Sequence, residues 1–130
     1  MSTNTDVSIT IRENATCLTL CSGSTTTSCQ RNNEVWEIDV VKNDTVTFYN
    51  QTSDQVQVTI SNGTYVSADQ FPLNAKSGST VYSKKVTIEK DPPAHTPPQP
   101  AYCEITLAST GIGGPSQCGG PNVKPKMKVT

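Results

Sequence analysis

Residues 35–66 read VWEIDVVKNDTVTFYNQTSDQVQVTISNGTYV, and their alternation decides the fold class. Apolar side chains recur at every second position in three runs: Trp36, Ile38 and Val40; Val46 and Phe48; Val56, Val58 and Ile60. A period of two is the signature of strands with one buried face. Turn-forming residues separate the runs, Lys42-Asn43-Asp44 after the first and the polar stretch 50–54 after the second. Asn62-Gly63 predicts a two-residue hairpin, since both residues tolerate the positive φ of a type I′ turn, with Thr64-Tyr65-Val66 pairing back across it. Trp36, the single tryptophan, is expected near the centre of the core.

The same pattern extends outward. Val7, Ile9 and Ile11 alternate in a first strand, and residues 16–21 make a short second one. Residues 22–33 lack apolar periodicity and read as a polar loop anchored at Cys29. Beyond the hairpin, 68–78 is irregular, with Phe71-Pro72-Leu73 expected to plug one end of the core. Residues 79–88 read as a strand with Tyr82, Val86 and Ile88 on one face; Lys84 on that face marks an edge. Residues 91–100, DPPAHTPPQP, hold five prolines in ten positions and cannot supply a ladder of donors. They form an extended connection. Cys103, Ile105 and Leu107 alternate inward along 101–107, and 108–122 is glycine-rich and irregular. A last strand at 123–129 sets Val123, Met127 and Val129 opposite Lys124, Lys126 and Lys128.

Seven to nine short strands with regular turns predict an all-β, two-sheet Greek-key sandwich, one domain over residues 1–130. Composition agrees. Ser and Thr supply 32 of 130 residues, while Glu, Ala and Leu are scarce, which leaves little for amphipathic helices. Ten basic against eleven acidic side chains, a formal charge of -1, give no electrostatic reason to expect nucleic acid as a partner. No stretch approaches the ~20 apolar residues of a membrane span, and MSTNTDVSIT has neither the basic nor the apolar region of a signal peptide.

Cysteines stand at 17, 21, 29, 103 and 118, and the odd count leaves at least one thiol free or intermolecular. Cys103 and Cys118 bracket 14 residues, and bridging them would remove loop entropy worth about 3 kcal/mol. That bond is expected, with one more among Cys17, Cys21 and Cys29; in a reducing compartment all five thiols stay free. Disulfides would favour an exported or extracellular location despite the missing signal peptide. Cys17, Cys21 and Cys29 supply only one close pair, short of a four-ligand zinc site. The glycine-rich run 111–120 lacks the GK[ST] ending of a phosphate loop. No catalytic motif is present.

The order of parts resembles the cupredoxin family, over roughly residues 35–130. In that family a strand of the type V-x-x-G-D-x-V-x-F-x-N leads to the first copper-binding histidine. The run Val41-Lys42-Asn43-Asp44-Thr45-Val46-Thr47-Phe48-Tyr49-Asn50 is similar, and Asp54-Gln55-Val56 stands where the family has His-Asn-Val. Tyr102-Cys103 and Lys126-Met127-Lys128-Val129 fit the family's closing cysteine, methionine and last strand. An immunoglobulin-like sandwich is the alternative fold.

The resemblance implies a copper site only where two imidazoles and a thiolate meet. Asp54 occupies the first histidine position, and His95 is the only histidine in the chain. No cofactor is therefore expected. The expected function is a non-enzymatic structural or protein-interaction module, with a protein partner or self-assembly. Two alternatives stay open: a small redox or metal protein with an atypical site of Cys103, His95 and Met127, and a subunit of a homomeric surface or filament assembly.

Overall fold

The computed structural model of the chain describes residues 4–14, 17–22, 29–30, 36–110, 116–118 and 124–130. They form ten strands: β1 (Asp6–Asn14), β2 (Cys17–Ser22), β3 (Glu37–Val40), β4 (Thr45–Asn50), β5 (Val56–Ile60), β6 (Gln70–Leu73), β7 (Tyr82–Thr87), β8 (Ala101–Ser109), β9 (Ser116–Gln117) and β10 (Lys126–Val129). No α-helix occurs among the described residues. Two five-stranded sheets pack face to face, in the orders β7-β4-β1-β2-β9 and β3-β10-β8-β5-β6. The protein is an all-β, two-sheet sandwich.

Alternation builds the core. Ile9, Ile11, Val46, Phe48 and Val86 of the first sheet meet Val56, Val58, Ile105, Met127 and Val129 of the second, and all are fully buried. Burying each such side chain is worth about 1.5–3 kcal/mol. The rings of Phe48 on β4 and Phe71 on β6 pack across the sheets, tilted, with centroids 5.6 Å apart. Trp36 is buried beside β3 as part of this core, and Val35, which opens the alternating stretch, lies outside the described residues.

Pairing is mixed. β1–β4, β3–β10 and β2–β9 are parallel, and the other pairs antiparallel. Buried polar groups fix the turns between the strands. Asp44 accepts from Thr5 N–H at 3.0 Å and from Val41 N–H at 2.9 Å, which closes the β3–β4 turn onto the start of β1. Asn43, at φ 76, takes the left-handed position of that turn, a conformation that asparagine tolerates better than most residues.

Two expectations are corrected. Asn62-Gly63 does not make a hairpin. Asn62 is left-handed, at φ 53, but it opens a single 3-10 turn over Gly63–Tyr65, and Val66 bridges Ile88 instead of pairing back onto β5. The reason is tertiary: Tyr65 and Val66 are drawn into the core, and Asn62 Nδ2 donates to Tyr102 O at 2.7 Å. On its outer side β5 pairs with β6, so Phe71-Pro72-Leu73 is a strand and not a plug. Proline is tolerated there because β6 is an edge, where a missing N–H costs no ladder bond. Residues 91–100 contain no strand, as their prolines dictate.

Candidate functional site

The side chains that an atypical metal site would recruit do not converge. Cys103 on β8 and Met127 on β10 are register partners, and both are fully buried in the core. His95 is exposed in the segment 91–100, where its Nδ1–H donates to Pro97 O at 2.9 Å. Burial pushes the Cys103 thiol above its ordinary pKa, the opposite of what a metal-bound thiolate or a nucleophile requires.

Asp54 is not beside Cys103 either. β5 and β8 run antiparallel with Val56 opposite Ser109 and Ile60 opposite Ile105. Asp54 precedes Val56 and Cys103 precedes Ile105, so they stand at opposite ends of the β5–β8 pair, whose four rises from Val56 to Ile60 alone span ~13 Å. Among the described residues no group of three or more His, Cys, Asp or Glu side chains is placed to hold a metal ion.

The cysteines pair as Cys17–Cys118 and Cys21–Cys29, and Cys103 keeps a buried thiol. The bond within the N-terminal group forms as expected. The expected Cys103–Cys118 bond does not. Cys103 points into the core from the second sheet, whereas β9 runs beside β2 in the first, with Leu18 opposite Gln117. Cys118 follows β9 directly and its N–H donates to Leu18 O at 2.7 Å, which brings it to Cys17 with Cα atoms 5.0 Å apart. Loop entropy favours closing a short loop, but strand pairing decides which sulfurs meet.

What the fold does assemble is a groove of about 530 Å³ at one end of the second sheet. The segment 91–100 curls beside the end of β10, and Pro92, Pro93, Ala94, His95 and Pro98 line the groove with Asp91, Lys128 and Thr130. Alternation explains the sheet side: Met127 and Val129 point into the core, so Lys128 and Thr130 turn outward. Tyr102 stands opposite Lys128 on β8 and is 40% exposed. The Lys126 ammonium sits 5.0 Å from the Tyr102 ring centre and 3.9 Å from Glu37 Oε1. Val41, 44% exposed, follows β3 next to Thr130, whose N–H donates to Val40 O.

Two of the three large exposed apolar side chains among the described residues therefore flank this groove. Its surface is mostly apolar, with Asp91, His95, Lys128 and Thr130 as polar groups. Composition marked 91–100 as a connection. It could not show that the connection folds beside Lys128 and Tyr102, because β8–β10 register sets that neighbourhood.

A second, polar depression lies between β1 and the β4–β5 connection, lined by Arg12, Glu13, Gln51, Thr52, Ser53 and Lys76. No helix among the described residues is long and apolar enough to cross a membrane. No protein-family model matches the chain, and no curated protein matches it in sequence.

Proposed function

We propose that the chain is a non-enzymatic β-sandwich, cupredoxin-like in topology and without a copper centre, that binds a protein partner at the proline-rich end of its second sheet. The observation that carries this proposal is the exposed pair Tyr102 and Val41 beside a proline-lined groove. An exposed tyrosine beside an apolar groove with a polar rim matches the anatomy of protein–protein contacts.

Support for the cupredoxin-like topology comes from residues 41–50. The run that resembles the family's motif forms the β3–β4 turn and β4, with Asp44 and Asn50 buried as its polar anchors. Three parallel pairs also depart from the antiparallel sheets of an immunoglobulin-like sandwich. The absence of copper chemistry is inferred from the positions of Asp54, His95 and Cys103. The two disulfides favour an oxidising, extracytoplasmic compartment.

The test is a paired capture experiment with wild type, Val41→Ser/Tyr102→Ala, and the control Thr59→Ala on the exposed face of β5. A partner retained by wild type and control but lost by the double variant supports the site. Equal capture by all three proteins, or capture by none, overturns it.

A further inference from the structure

The loop between β8 and β10 crosses from one sheet to the other, and it leaves an unusual join. β10 covers only residues 101–104 of β8, and its reach ends where Ile105 N–H donates to Pro125 O. Beyond that point no described residue pairs as a strand with the β10-facing side of β8, and Leu107 N–H and Ile105 C=O need partners there. The Gln117 side chain supplies them. Its Oε1 accepts from Leu107 N–H at 3.2 Å and its Nε2 donates to Ile105 O at 2.8 Å. One primary amide thus presents an acceptor and a donor as a peptide group would, and it acts as a single ladder rung on this side of β8.

The backbone of Gln117 belongs to the other sheet. β9 pairs with β2, Cys118 N–H donates to Leu18 O at 2.7 Å, and Cys118 is bonded to Cys17. β9 has only two residues, too few to hold a ladder by themselves. The covalent bond keeps it in place.

We infer that the Cys17–Cys118 disulfide is a redox latch on a clasp, and that its reduction frees Gln117 and opens the β10-facing edge of β8 at residues 105–107. A dithiol reductant attacks one sulfur as thiolate, breaks the S–S bond through a mixed disulfide, and leaves oxidised to its own disulfide. Two electrons and two protons reach the protein as the thiols of Cys17 and Cys118. The exposed edge would then offer an acceptor and a donor to an extended segment. The inference is independent of the partner site proposed above.

Hydrogen exchange resolved to single amides tests it on two variants and on reduced wild type, with far-UV circular dichroism recorded for each. Cys17→Ser/Cys118→Ser, with Cys21–Cys29 intact, should accelerate exchange of Leu107 N–H at least tenfold more than it accelerates that of Val46 and Val58. Gln117→Ala, with both disulfides intact, should give the same local acceleration. Wild type treated with dithiothreitol, with thiols mapped by alkylation and mass spectrometry, should follow the double variant. Unchanged Leu107 exchange in Gln117→Ala overturns the clasp. Acceleration in Gln117→Ala without it in the double variant overturns the latch. Loss of the whole sandwich on removing the bond also overturns the latch, because the disulfide would then be a global staple.

Discussion

Asn50 ends β4 fully buried, and the residues it holds explain why the β4–β5 connection has one shape. Its Nδ2 lies 2.9 Å from Asp54 O and 3.1 Å from both Leu73 O and Asn74 O, while its Oδ1 accepts from Thr52 N–H and Thr52 Oγ1. Asn50→Ala would strand several buried groups at once, at a cost of about 3 kcal/mol. Urea unfolding should show a midpoint lower by about 2 M with an unchanged slope, and an unshifted midpoint would remove Asn50 from this role. Asp6 gives a pH-dependent prediction. The hydrogen bond from Thr45 Oγ1, aided by Thr47 and the charge of Lys85, holds its carboxyl below the usual value. A depressed folded pKa contributes stability that is present above the unfolded value of about 3.9 and is lost as pH falls through the folded one. Between about pH 6 and pH 2.5, Asp6→Asn should therefore lose less of its urea midpoint than wild type. Equal losses would contradict the assignment.

Strand positions were legible in the sequence, because burial writes a period of two into Trp36–Val40, Val46–Phe48 and Val56–Ile60. Partners were not. Asn62-Gly63 satisfies a hairpin turn locally, yet Tyr65 and Val66 gain more by entering the core. Lys84 did report an edge correctly. It shares the inward parity of Val86 but remains exposed on β7, the outermost strand of its sheet. Ser67 covers the far end of that edge: Thr87 N–H donates to its Oγ, and its own N–H donates to Thr87 O. Pro72 marks β6, the outermost strand of the other sheet. Charges and prolines on edges oppose strand addition, which weighs against self-assembly through this side of the sandwich. Lys84→Val/Lys85→Thr should turn β7 into an apolar, uncharged edge and raise light scattering within hours at concentrations where wild type stays clear. Clear solutions of the variant would mean that the lysines do not protect this edge.

At the scale of the molecule, two bonds of very different reach tie β2 to the rest of the chain. Cys17–Cys118 spans 101 residues and Cys21–Cys29 spans 8. On loop entropy alone, removing the first would cost about 5 kcal/mol and the second about 2.5 kcal/mol. Thermal unfolding of Cys17→Ser/Cys118→Ser and Cys21→Ser/Cys29→Ser should rank the two in that order. The reverse order would place the greater constraint in the short loop. The count of five cysteines foretold one thiol outside the bonds, but only the β2–β9 pairing identifies it as Cys103.

The resemblance to cupredoxins could be followed in the sequence through Val46, Phe48 and Asn50, and so could the missing imidazoles. The placement of the remaining candidates could not, because Cys103 and Met127 meet through β8–β10 register inside the core while His95 stays exposed. The most direct test is to equilibrate the oxidised protein with one equivalent of copper, remove free metal by desalting, and measure bound copper with the visible spectrum. A protein organised as described retains far less than one copper per chain and shows no thiolate charge-transfer band. One tightly held copper per chain with such a band would contradict the account.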